Sequence, residues 1–125
     1  MFSYHKLIVA GGRDFNDYKL LSRKVSAIRK VVWSEFLADD LEIVSGGARG
    51  ADRLGERWAK ENHASMKQFP ADWDRLGKRA GFVRNEQMAK YADSLIAFWD
   101  SKSAGTGHMI NLARKYKLNV MIVRY

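Results

Sequence analysis

The sequence predicts a single α/β domain of three layers: a five-stranded parallel sheet in the order 3-2-1-4-5 with helices on both faces. Three observations predict it. Short apolar runs suited to strands alternate along the chain with stretches whose apolar residues recur every three or four positions, as on one face of a helix. Glycine-bearing turns stand where a strand gives way to a helix, at residues 11–14, 45–52 and 103–107. A chain of 125 residues has room for one such domain. Right-handed crossovers between parallel strands leave few other arrangements.

Residues 5–10 read as the first strand. Its turn feeds a helix with Tyr18, Leu21, Val25, Ile28, Val32 and Phe36 on one face, and Asn16 or Asp17 is placed to cap the start. Residues 41–45 form the second strand, and the glycine turn after it opens a helix whose buried stripe is Ala51, Leu54, Trp58 and Ala59. The third strand covers residues 64–69. Pro70 ends it and begins a polar connection, residues 71–81, long enough to serve as a lid over the sheet edge. A helix over 82–92 that begins near Arg84 and Asn85, a fourth strand over 94–98, a helix over 105–116 and a fifth strand over 119–123 complete the set. In the last helix Met109, Leu112, Ala113 and Tyr116 keep the helical spacing.

Composition narrows the function classes. With 46% hydrophobic and 29% charged residues the chain folds rather than staying disordered. The absence of cysteine excludes disulfides, thiolate metal sites and a thiol nucleophile. No run of membrane-spanning length and no export leader is visible, so a cytoplasmic protein without a membrane partner is expected. The 22 lysines and arginines against 14 acidic residues give a net charge of +8, which favours anionic partners, nucleic acid among them. The basic residues are dispersed, and a general positive excess accounts for the same number.

The predicted strand order places a change of chain direction between strands 1 and 4, and ligands of open α/β sheets bind outside the carboxyl ends at such a point. All three glycine turns emerge there. Gly11, Gly12 and Arg13 form the first group, with Arg13 able to grip a phosphate or to pair with Asp14 instead. Gly46, Gly47, Arg49, Gly50 and Asp52 form the second. This segment is neither a G-x-G-x-x-G nor a Walker A sequence, but its glycines let backbone approach a phosphate, and Asp52 can accept from ribose hydroxyls or act as a helix-start charge. Ser103, Gly105 and Thr106 offer amides and hydroxyls at a helix start; either hydroxyl residue can equally serve as a plain cap. Trp99 can stack a base or pack in the core, and Asp100 can bind ribose or act as a base. Arg84 and Asn85 can touch the ligand or simply cap a helix. His5, His63 and His108 lack metal-ligand spacing. The expectation is a nucleotide-type ligand with no metal and no required cofactor.

The residues 11–15, 45–52, 69–73, Gly81 with Arg84-Asn85, and Phe98-Trp99-Asp100 with Ser103-x-Gly105-Thr106 resemble the YspA/YpsA-related branch of the SLOG superfamily. That resemblance implies a Rossmann-like domain and a nucleotide or nucleotide-derived ligand, ADP-ribose-like signals included, which the protein would sense or sequester. The same superfamily holds the LOG phosphoribohydrolases and the DNA-processing protein DprA. Kinship with them implies two alternatives, cleavage of an N-glycosidic bond by Asp52 or Asp100, and binding of single-stranded DNA. It also implies homo-oligomers, since related domains associate. One departure stands out: LOG enzymes carry a glutamate three residues after the threonine of the glycine-threonine turn, and this chain has Met109 there.

Overall fold

In the computed structural model, which describes residues 1–125, β1 (Tyr4–Gly11) runs through the centre of a five-stranded sheet. It pairs in parallel with β2 (Asp40–Ser45) on one side and β4 (Ser94–Trp99) on the other. β3 (Ser65–Gln68) and β5 (Asn119–Arg124) close the two edges, so the order is β3-β2-β1-β4-β5, as expected. The register sets Ile8 beside Val44 and Leu95, and Gly11 beside Phe98. The central strands therefore finish along one rim.

Toward the rim the central strands are apolar, at Leu7–Ala10, Ile43–Val44 and Leu95–Trp99, because helices cover both faces. Successive side chains of β1 alternate between two cores. Leu7 and Val9 pack with Ile43, Ile96, Phe98 and Trp58 beneath α1 (Tyr18–Phe36) and α2 (Ala51–Glu61). Ile8 and Ala10 pack with Val44, Leu95, Ala97, Met88 and Met109 beneath α4 (Ala80–Tyr91) and α5 (Ala104–Lys115). Trp58, the largest fully buried side chain, donates its indole N–H to Ser26 Oγ at 3.1 Å and so leaves no orphan donor in the core. Asp17 rather than Asn16 caps α1, accepting from the Leu20 amide at 3.1 Å. No helix is long and apolar enough to cross a membrane.

The expected 71–81 connection is more ordered than its sequence suggests. It contains α3 (Trp73–Leu76) and a 3-10 turn (Gly77–Arg79), and α4 begins at Ala80, two residues before the expected start. Asp72 explains the extra turn, because its carboxylate caps the Arg75 amide at 3.2 Å and also holds the Arg75 side chain at 2.9 Å. A four-residue helix that buries none of its side chains leaves no periodic signal.

The turns after β1 and β2 touch through their backbones. Gly50 takes φ +84°, and a Cβ there would lie 2.2 Å from the Gly12 carbonyl oxygen. The Ala51 amide donates to that same oxygen at 3.3 Å. Gly105, by contrast, lies in the first turn of α5, where an added methyl group would meet nothing within 4 Å. Gly50→Ala is therefore expected to lose about 2 kcal/mol or more, and Gly105→Ala to stay within about 1 kcal/mol of the parent. Urea denaturation of the two variants checks this, and equal midpoints would refute the contact.

Candidate functional site

A cavity of about 260 Å³ lies outside the carboxyl ends of the central strands, between the glycine turns and the helices α4 and α5. Gly11, Arg13, Ala48 and Asp52 line one wall; Arg84, Asn85, Ser103, Gly105 and Thr106 line the other. Trp73, Lys78 and Phe82 stand at its mouth, and Met88 and Met109, both buried, form its floor. Two shallower hollows adjoin it. One follows the β2 turn past Gly46, Gly47, Arg49, Arg53 and Gln68; the other runs from Gly12 and Asp14 to Asp100 and Ser103. The three glycine turns thus meet at one place.

The β2 turn is held from both sides. Ser45 Oγ donates to Glu56 at 2.6 Å and accepts from the Gly47 amide at 3.0 Å, while Gln68 donates to the same Glu56 oxygen at 3.0 Å. Asp52, only 6% exposed, accepts from the Ala48 amide at 3.2 Å. Burial pushes its carboxyl up to about 6, against the pull of the Ala48 N–H and the Arg84 charge, and the nearby Glu56 adds to the rise. Asp52 is therefore a carboxyl inside the cavity whose pKa lies above the ordinary carboxylate range.

Arg84 and Asn85 do more than cap a helix. They tie α4 to the other two turns. Arg84 donates to the Gly46 carbonyl and, through Nε at 3.0 Å, to Asn85 Oδ1. Asn85, 7% exposed, donates onward to the Gly105 carbonyl at 3.4 Å and to His108 Nδ1 at 3.2 Å. Burial lowers the Arg84 pKa, with Asp52 opposing and Arg13 adding to the fall. The Asn85 amide nitrogen can only donate, so His108 accepts at Nδ1; burial lowers the His108 pKa, with Glu86 opposing.

At the start of α5 the expected cap is unused. Ser103 makes no side-chain bond to the helix backbone; its hydroxyl lies 3.4 Å from that of Thr106, which is 5% exposed. The first-turn amides consequently lack a side-chain acceptor and present the positive end of the helix toward the cavity. Asp100 shapes this turn, accepting from the Lys102 and Ser103 amides at 2.8 Å each, which lowers its pKa and occupies one of its oxygens. It borders the outer hollow rather than the central cavity.

Several expected site residues have other places. Trp99 lines none of the three hollows: its indole N–H donates to the Ser103 carbonyl at 3.0 Å and its ring lies against Gly107. Gly50 serves the contact between turns, and Gly12 lies under the Tyr125 phenol. Arg13 is exposed and not paired with Asp14, which accepts instead from the Tyr125 hydroxyl at 2.6 Å. Sequence reasoning did not single out Phe82, Lys78, Arg53 or Gln68 as site residues. Phe82 precedes Asn85 by three positions, a spacing that shares one helix face and would have found it; the others carry no such signal.

Residues 5–76 match the family described as YspA, cpYpsA-related SLOG, a stretch holding the first two glycine turns but not Ser103, Gly105 or Thr106. The Gene 61 protein of Mycobacterium phage D29 is 33% identical over 129 residues, covering 93% of this chain and 94% of that protein. DNA processing protein A (DprA) from Streptococcus pneumoniae, solved by X-ray methods, superposes with a TM-score of 0.68 at 19% identity, over 95% of this chain and 50% of that one. DNA processing protein A from Helicobacter pylori, whose structure describes a single-stranded DNA binding mode, gives 0.63 at 19% identity over 96% and 65%. The chain thus spans half of the first and 65% of the second, and at this identity both likenesses concern the fold. On the family match and the phage relative together, the chain belongs to the YspA, cpYpsA-related SLOG family.

Proposed function

We propose that the crevice binds a nucleotide or a nucleotide-derived small molecule of ADP-ribose type, and that the protein senses or sequesters it. One observation carries the reading: three backbone turns and the cations Arg13, Lys78 and Arg84 surround a single cavity. Uncapped amides at the start of α5 and the Arg13 guanidinium would hold phosphate. Asp52 and Asn85 would face ribose. Trp73, 53% exposed, and Phe82 offer aromatic faces at the mouth for a base. Binding is favoured over N-glycoside cleavage because Met109 puts a thioether in the cavity floor and Asp100 borders the outer hollow, which leaves Asp52 as the single carboxyl lining the cavity where such cleavage employs a pair.

A second reading is single-stranded DNA. It draws on the binding mode described for the Helicobacter pylori protein, the net charge of +8, and the row of Arg13, Arg49, Arg53 and Arg84 beside exposed Trp73. One experiment separates the two. A thermal-shift panel of nucleotides is expected to raise the midpoint by several degrees for at least one compound, since saturation at 100 times Kd adds about 2.7 kcal/mol. A labelled oligonucleotide titrated at rising salt is the other arm. Binding of the oligonucleotide that collapses about a thousandfold between roughly 50 and 200 mM salt, with no response to any nucleotide, would replace the first reading by the second.

The burial of Asp52 gives the pH dependence of stability a definite sign. Its folded pKa lies above the unfolded one, so the folded state holds the extra proton between about pH 4 and pH 6. Stability contributed by this group falls as pH rises through that window, by on the order of 3 kcal/mol at most. Asp52→Asn keeps an acceptor for the Ala48 amide and removes the titration. Its stability relative to the parent should therefore climb from pH 4 to pH 7. Denaturation curves that remain parallel over this range would contradict the burial of an ionisable carboxyl at this place.

A further inference from the structure

We propose that two copies of this chain join through β5, which pairs antiparallel with its own copy about a two-fold axis at Ile122 and continues the sheet from one copy into the other. No β5 residue lines the crevice or its flanking hollows, so the pairing needs no ligand. Both edges of the sheet are strands without an outer neighbour, and they differ in protection. β3 is four residues long and carries the exposed Lys67, a charge of the kind that blunts an edge. β5 is six residues long, has no proline, and holds four apolar residues in succession from Val120 to Val123. Its one charge is drawn back over its own sheet, where the Arg124 guanidinium donates to Ser101 Oγ and lies 5.5 Å from the centre of the Trp99 ring. An open apolar edge of this kind is a template for another strand.

The phase of the backbone fixes the register. The amides of Asn119 and Tyr125 donate to the carbonyls of Asp93 and Trp99, so residues 119, 121, 123 and 125 turn their N–H and C=O groups toward β4, and Val120, Ile122 and Arg124 turn theirs outward. Antiparallel strands exchange hydrogen bonds between directly opposed outward residues. An axis at Ile122 opposes Ile122 to its own copy and Val120 to the partner's Arg124, and every outward group is matched. An axis at Met121 would leave Arg124 beyond the end of the partner strand. Side chains complete the match on the α1 face. There Met121 is 44% exposed beside an apolar groove of about 180 Å³, which β5 forms with Ile28, Val31, Glu35 and Phe36 of α1. The axis at Ile122 sets the partner's Val123 opposite Met121 and makes the two copies of α1 antiparallel across this groove. Lys24 shares the stripe of Ile28, Val31 and Glu35 by helical spacing, and neither Lys24 nor Glu35 takes part in an ion pair. Antiparallel alignment carries Lys24 toward the partner's Glu35 and Glu35 toward the partner's Lys24. This charge complementarity, with the self-matching register, selects a second copy over an unrelated strand.

Sedimentation velocity over a micromolar concentration range tests the pairing, and the parent is expected to be a dimer. Met121→Lys changes an exposed side chain, so the fold is kept, and it should weaken self-association by roughly tenfold or more. Lys24→Glu should weaken it by roughly tenfold, and Lys24→Glu combined with Glu35→Lys should restore the parent value to within about threefold. The chain has no cysteine, so a single introduced thiol reports the axis. Opposed residues of a hydrogen-bonded pair have Cα atoms about 5.5 Å apart, within reach of a disulfide. Ile122→Cys should therefore cross-link under mild oxidation, while Met121→Cys, and Lys60→Cys on the exposed end of α2, should stay uncrosslinked. A monomeric parent overturns the proposal and leaves the edge to a strand of another protein. A dimer indifferent to Met121→Lys, a double exchange that restores nothing, or a cross-link at position 121 in place of 122 overturns it as well.

Discussion

The pairing of β1 with both β2 and β4 governs everything that happens at the crevice. Because all three strands run parallel and finish together, the turns that follow them leave from one rim. The contact between Gly50 and the Gly12 carbonyl then brings two of these turns together, and the Ala51 amide seals it with a hydrogen bond of 3.3 Å. Side chains would hold the turns apart. Arg13, immediately after Gly12, is carried by this contact to the point where the three hollows join. The third turn is tied in from the other face of the sheet, by the chain of bonds from Gly46 through Arg84 and Asn85 to Gly105.

A site assembled in this way carries an electrostatic cost. Arg84 is drawn out of water beside a second guanidinium, and Asp52 is buried with a single hydrogen bond to the Ala48 amide. Neither would be chosen for stability alone, since buried charge without a tight partner weakens a fold. The large apolar cores on both faces of the sheet offset this, with fully buried Leu7, Ile8, Leu41, Ile43, Leu95, Ile96 and Phe98. Local rules broken at one place, while they are kept elsewhere, single out the crevice as the candidate site.

Strands and long helices were legible because their periodicity is set by burial. The alternation of Leu7, Ile8 and Val9 between two cores, and the stripe from Leu21 to Val32, follow from geometry that the sequence repeats many times. The rim was legible at its glycines, since a turn that passes close to another backbone cannot carry a Cβ. What escaped depended on single contacts. Asp72 created α3 by one capping bond, and Tyr125 captured Asp14 across 111 residues of sequence. Trp99 looked fit for stacking a base because an aromatic at a strand end has that option, yet the Ser103 carbonyl accepts its N–H and the Arg124 guanidinium lies over its ring, 5.5 Å from the centroid. Spacing could not separate these outcomes, because each is decided by a partner distant in the chain.

Whether the three turns act as one receptor for a phosphorylated ligand is tested most directly by backbone amide NMR during a titration with ADP. The amides of Arg13, Ala48 and Thr106, one from each turn, should move together along a single saturating curve, with amides at the opposite end of the sheet, such as Tyr4 and Asp40, unmoved. Shifts confined to one turn, or three turns following three different curves, would contradict it.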